Sequence, residues 1–167
     1  MNIITLPAFG SVIAGQGGIF AAIVRAPQAD GAEQPPIAIL VTDKAHEFTS
    51  AWGEYGQDVD GAKSRIDGKA NTDAMAAAGC AAAQKLRGLT IEGHADWYLP
   101  SLGELNSAAA NAPEAFDPKG VYWTSTQVSR HHAFAQDFED GYSRWNGKSY
   151  EFRVRPFRRI PLEFLIA

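Results

Sequence analysis

Asp96-Trp97-Tyr98-Leu99-Pro100-Ser101-Leu102-Gly103-Glu104-Leu105-Asn106 is the stretch from which the rest of this 167-residue chain is best read. Ser101 and Glu104 stand at the spacing of a capping box, so each satisfies a backbone N–H that a helix start leaves free, and Pro100 and Leu105 occupy the flanking staple positions. Leu102, Leu105 and Ala109 then fall on one side of a short helix. At that spacing Glu104 is a capping partner rather than a catalytic acid.

Working outward toward the C-terminus, residues 111–120 read as a loop, and the chain beyond residue 120 reads as antiparallel strands. Tyr122-Trp123-Thr124-Ser125-Thr126 is β-rich, and Trp123, like Trp97, reads as a core aromatic whose indole N–H meets a backbone carbonyl. In 133–138, Phe134 and Phe138 share a face with Gln136 between them. In 150–155, Tyr150, Phe152 and Val154 face one way while Glu151, Arg153 and Arg155 face the other. Such alternation describes a half-buried sheet.

Working back toward the N-terminus, Asn71 is placed to cap a helix of about four turns, with Met75, Ala78, Ala82 and Leu86 at helical spacing and Gly88 as its stop. Residues 52–69 carry Gly53, Gly56, Gly61 and Gly68 among Asp58, Asp60 and Asp67, a loop composition. An EF-hand beginning at Asp58 would place Lys69 where its closing glutamate belongs, so the calcium reading fails there. Before it, Ile19 to Arg25 and Ile37 to Thr42 form a hairpin around a polar tip, Pro27 to Pro36. Both strands are nearly all apolar, which implies cover on both faces from this chain or from a second copy.

Four blocks, in order, are Asp96 to Asn106, Tyr122 to Thr126, Phe134-Ala135-Gln136-Asp137-Phe138-Glu139-Asp140-Gly141, and Arg153-Val154-Arg155-Pro156-Phe157-Arg158. Together they resemble the Lcl C-terminal family, whose members read Trp, a variable residue, Leu-Pro, then Glu-Leu, with a later Tyr-Trp-Ser-Ser-Thr-like strand. That resemblance covers about residues 90–160 and implies an α+β C-type-lectin-like fold in one domain, 1–167, with residues 1–50 as an N-terminal hairpin region. In that fold the ligand surface comes from the long loop region and adjoining strands of the second half, where 142–148 lies. Neither a Glu-Pro-Asn nor a Gln-Pro-Asp triplet is present, and Trp145-Asn146-Gly147 lacks an aspartate, so calcium-chelated sugar is not implied.

Trp52-Gly53-Glu54-Tyr55-Gly56 and Asp67 to Thr72 are further similar to small proteins encoded in bacteriophages and prophages. The likeness implies a virion tail-fibre or tail-tip component, made in the bacterial cytoplasm, that binds a bacterial surface glycan or protein beside other virion proteins. Homo-oligomers, commonly trimers, are the form such fibres take. The competing implication is a structural tail or head-decoration subunit whose loops serve assembly alone.

Composition narrows the function classes. A formal charge of −4 offers no global field for nucleic acid. No run reaches the roughly 18 apolar residues of a membrane span, and Met1 to Pro7 lacks the basic start of a secretion signal, so a soluble product is expected. Cys80, the single cysteine, sits among alanines and reads as buried. It cannot supply the paired cysteines of sulfatase-activating enzymes, which share the broad fold. His46, His94, His131 and His132 have no metal-ligand spacing, and no nucleophile elbow, phosphate loop or dinucleotide fingerprint occurs. A glycan-modifying enzyme would need clustered carboxylates that the sequence does not identify. The expectation is a non-enzyme without a cofactor or metal.

Recognition residues are expected in Asp140 to Ser149, which Gly141 and Gly147 bracket as a turn or hairpin tip. Tyr142, Arg144, Trp145, Asn146 and Lys148 are therefore expected to be exposed, and large aromatics beside Arg and Asn make a binding surface. The alternative is a loop anchored by a buried Trp145. Arg130, His131 and His132, just before the Phe134 strand, are expected to line the same face. Arg153, Arg155, Arg158 and Arg159 suit an anion less well than pairing with Asp137, Glu139 or Glu151. The apolar end, 160–167, is expected to dock on its own domain or a neighbour.

Overall fold

Glycine-rich turns and short apolar runs fold into two antiparallel-dominated sheets with three helices, an α+β arrangement, in the computed structural model, which describes residues 4–27 and 34–166. In chain order the elements are β1 (Val12–Ile13), β2 (Gly18–Arg25), β3 (Pro36–Val41), β4 (Phe48–Ala51), α1 (Gly68–Ala77), α2 (Ala81–Arg87) and α3 (Leu102–Asn111). They continue with β5 (Val121–Gln127), β6 (His132–Asp137), β7 (Tyr142–Gly147), β8 (Glu151–Val154) and β9 (Phe157–Pro161). One sheet runs β1-β2-β3-β9 and the other β4-β8-β5-β6-β7.

The expected hairpin is β2–β3, with Ile19 opposite Val41 and Arg25 opposite Pro36. Residues 28–33 of its tip lie outside the described residues. Its two apolar faces are both covered by this chain. Ala22, Ile39 and Val41 pack with Leu105, Ala108, Tyr98, Phe116 and Tyr122, while Phe20, Ala38 and Leu40 pack with Ile160, Leu165, Leu6 and Ile13. The C-terminal segment, a 3-10 turn over Leu162–Leu165, thus docks on its own sheet through Leu165, although Phe164 stays exposed.

The single helix expected from Asn71 to Gly88 is instead two. Asp67 caps α1 through Ala70 N, and the chain breaks at Gly79 (φ 80°) and extended Cys80 before α2. Gly79 takes the left-handed conformation that only glycine adopts without strain, and Cys80 is pressed against Gly53, where a Cβ would collide with its sulfur. Asn71 is buried inside α1, donating to Ser64 O and Ser125 Oγ while accepting from Ser64 N. The arginine partners also differ from expectation. Arg153 and Arg155 both grip Glu47, Arg158 pairs with Asp96 and Arg159 with Asp67; of the three expected partners only Asp137 forms an ion pair among the described residues, and it does so with Arg144.

The capping box at the start of α3 is present, with Glu104 Oε2 accepting from Ser101 N at 2.8 Å. Glu104 does more than cap. Its carboxylate also accepts from Gly68 N at 3.0 Å and from the Tyr98 hydroxyl at 2.8 Å, so it joins the starts of α1 and α3. Gly68 must be glycine, because a Cβ there would collide with that carboxylate and with the backbone of Ser101 and Leu99. Burial pushes the Glu104 carboxyl up from the ordinary range, against the bonds from Ser101 and Tyr98.

Glu104→Ala leaves buried donors unpaired and is expected to cost about 2–4 kcal/mol, while Gly68→Ala costs about 1–3 kcal/mol by overpacking, both read from urea unfolding. Glu104→Gln can keep all three partners. A raised native pKa means that the folded state binds the extra proton, so Glu104 lowers stability as pH rises through that interval. The pH profile of Glu104→Gln should lack this loss, and parallel profiles would refute the assignment.

Candidate recognition surface

The segment expected to be a loop is strand β7, the free edge of the five-stranded sheet. It pairs with β6 in register, Trp145 opposite Phe134 and Ser143 opposite Gln136, after a tight turn at Gly141 (φ 76°). Tyr142 is 49% and Trp145 61% exposed, so the anchored, buried Trp145 is not what forms. Both rings are held on a regular strand rather than on an adaptable loop.

Lys148 does not take the exposed position expected of it. It is fully buried, its Nζ donating at 2.6 Å to Gln57 O and to Gln127 Oε1 and lying 4.6 Å from the centre of the Trp52 ring. The chain turns back just after β7, and Trp52 N bonds to Lys148 O, which draws the lysine under the 52–57 loop. Burial brings its pKa down to about 8. Gln127 also donates to Asp58, whose carboxyl is held below its usual range chiefly by that bond.

Alternation along β7 divides the remaining residues between two faces. Arg144 is ion-paired to Asp137 at 3.2 Å and lies over the Phe152 ring, which stacks on Tyr150. Arg144 Nε and Asn146 Oδ1 are buried without a hydrogen-bond partner among the described residues. Around Gly147, ring atoms of Tyr150 and Tyr55 come within ordinary contact distance of a Cβ position, and Tyr55 packs on His131 at 4.7 Å between ring centres. His132 Nδ1 lies 3.4 Å from Ser129 Oγ. Arg130 is exposed and its carbonyl accepts from Gly56 N. His131 and the end of β7 therefore do meet, through Tyr55 and Tyr150, which sequence reasoning missed. The signal available was Tyr55 itself, an aromatic in the glycine-flanked 52–56 loop.

On the other face a groove of about 400 Å³ runs between α3 and the β6–β7 hairpin, lined by Asn106, Ala109, Ala110, Pro113, Gln136, Phe138, Gly141 and Ser143. Ser143 Oγ lies 3.0 Å from Asn106 Oδ1 and 3.1 Å from Gln136 Oε1. Asn106 and Gln136 carried no functional reading in the sequence. A second groove of about 500 Å³ lies between the β2–β3 hairpin and the start of α3. Among the described residues the only carboxylate lining it is Glu104, whose oxygens already hold three donors. Among the described residues no group of three or more His, Cys, Asp or Glu side chains is arranged to hold a metal ion.

A family model, the Lcl C-terminal domain, matches residues 40–158. This chain belongs to that family. The match takes in β4 to β8 and the start of β9, hence the whole five-stranded sheet. Comparison with curated proteins finds no match. Among solved structures, the fold is similar to that of a fimbrial protein from Bacteroides ovatus, at 12% identity and a TM-score of 0.52, covering 94% of this chain and 48% of that one. The chain thus spans about half the length of that protein, and the likeness is one of fold.

Lys148 supplies a test of its burial. Its folded-state pKa lies below the ordinary lysine value, so between about pH 8 and 10 the unfolded chain binds more protons and the Lys148 contribution to stability rises with pH. Relative to the wild type, Lys148→Met should lack that rise in urea midpoints across this range. Identical slopes for the two proteins would show Lys148 to be solvated.

Proposed function

We propose that this chain is a non-catalytic recognition module of C-type-lectin-like fold, a phage tail-fibre or tail-tip component that binds a bacterial surface glycan or protein through the β7 edge. The observation that carries the reading is the pair of exposed rings, Tyr142 and Trp145, fixed on a six-residue strand between two grooved or aromatic faces. Exposed aromatics on a rigid frame bring contact area with little ordering entropy to lose. The fold-level support is the capped α3, the two packed sheets and the family membership.

The non-catalytic reading rests on where the perturbed groups are used. Glu47 is buried, yet hydrogen bonds from Arg153, Tyr122 and Arg155 hold its carboxyl low. Glu104 and Lys148 are likewise spent inside the fold. Residues 52–56 and 67–72, similar to phage-encoded proteins, support virion placement, with a homo-oligomer as the working form. Assembly as the sole role is favoured by one observation: Val12, Phe164 and Ile166 are exposed on the four-stranded sheet and its flanking turn, where a neighbouring subunit would cover them.

Labelled wild-type protein is expected to bind intact bacterial cells saturably, and Tyr142→Ala/Trp145→Ala to bind at least about 30-fold more weakly with an unchanged urea midpoint. Loss of subunit assembly in that variant, or cell binding equal to wild type, would overturn recognition through β7.

A further inference from the structure

The groove between α3 and the β6–β7 hairpin has a chemical character of its own. None of the eight described residues that line it is ionisable. One wall, Ala109, Ala110, Pro113 and Phe138, is apolar, and the polar remainder is two amides and a hydroxyl. Gln136 is only 7% exposed, and its amide nitrogen donates no hydrogen bond among the described residues; the same holds for the nitrogen of Asn106. Ser143 has a single hydroxyl hydrogen, which serves one acceptor at a time, yet two amide oxygens face it. Ser143 therefore engages at most one group of each amide, and the other group of each has no partner among the described residues. Trp145 lies two residues beyond Ser143 on the same side of the strand, roughly 7 Å along, and continues the groove as an open platform.

These features select a ligand class. An ionic ligand would lose its hydration in the groove with no opposite charge to meet it. A purely apolar ligand would leave the amide donors unpaired. We propose that the groove binds an uncharged saccharide, its hydroxyls bridged by the Asn106 and Gln136 amides and the apolar face of a sugar ring against Phe138 or Trp145. An amide presents a donor and an acceptor in one plane, which matches two adjacent hydroxyl groups. No metal takes part. This ligand rests on the recognition role proposed for β7 and gives that role its chemistry.

The test titrates the full chain with maltotriose, cellotriose, chitotriose and galactobiose, following the side-chain amide signals of Gln136 and Asn106 and the indole signal of Trp145. At least one sugar should shift all three saturably, with an affinity unchanged by about tenfold more salt. Asn106→Leu/Gln136→Met should weaken that binding about tenfold. Ala110→Trp, at an exposed position of α3, should block the mouth without touching the core. No shift with any of the four sugars at millimolar concentration overturns the proposal, as does binding that both variants retain. Cell binding lost in Tyr142→Ala/Trp145→Ala but kept in both groove variants overturns the saccharide groove and leaves β7 recognition standing. Cell binding abolished by protease treatment of the cells but insensitive to periodate assigns a polypeptide and also overturns it. Wild-type protein that binds no cells, while a sugar still shifts the amides, sinks the cell-recognition reading and keeps the groove.

Discussion

One buried carboxylate, Glu104, organises the junction on which the two sheets and the helices meet. It holds the first backbone donors of α3 and α1 and the Tyr98 hydroxyl at once. Tyr98 is bonded through its backbone to Phe157, at the start of β9, and Pro100 accepts from Ser125 in β5. The same short segment thus touches the four-stranded sheet, the five-stranded sheet and two helix starts. A charge in this position is expensive to desolvate, as its raised pKa reflects, and it is retained because three donors converge on it. Fixing the start of α3 also fixes Asn106, two residues on, and with it one wall of the groove.

The buried arginines obey a common rule: among the described residues Arg155 and Arg158 are each compensated by a carboxylate. Arg155 is almost wholly buried, with its guanidinium on Glu47, Thr42 O and Ala115 O. Arg153 bridges Glu47 and Asp117, and Lys148 spends its hydrogens on two neutral oxygens. Removing one member of such a set leaves an uncompensated charge, which destabilises far more than the intact pair stabilises. Arg153 and Arg155 therefore build a joint between the end of β8, the 43–47 turn and the 115–117 loop, while Arg158 and Arg159 turn to Asp96 and Asp67. They do not form an anion site.

Features determined by neighbours in sequence were legible. The Ser101 to Glu104 box, the β2–β3 hairpin, the core indoles and the alternation of β8 all derive from local spacing and composition. What depended on distant chain was not. Whether the alanine-rich segment runs as one helix or breaks at Gly79 depends on Gly53 and Cys80, far apart in sequence, meeting in the fold. Lys148 reads as exposed beside Gly147, and only the 52–57 loop, much earlier in the chain, buries it. The partner of each arginine was illegible for the same reason. Part of the proposed recognition surface was visible, as Tyr142, Arg144 and Trp145, because aromatics between glycines stand out. Asn106, Gln136, Tyr55 and Tyr150 enter it only through strand register and helix placement.

A free edge strand with two exposed rings poses a problem of its own, since unpaired backbone groups invite another strand. β7 carries devices that oppose this. It is six residues long, bounded by Gly141 and Gly147, and Arg144 turns a charge inward toward Asp137 from the edge position. Main-chain pairing is thereby disfavoured, while the exposed rings of Tyr142 on one face of the strand and Trp145 on the other stay open. The side chains of β7, rather than its backbone, are what the fold leaves available for binding.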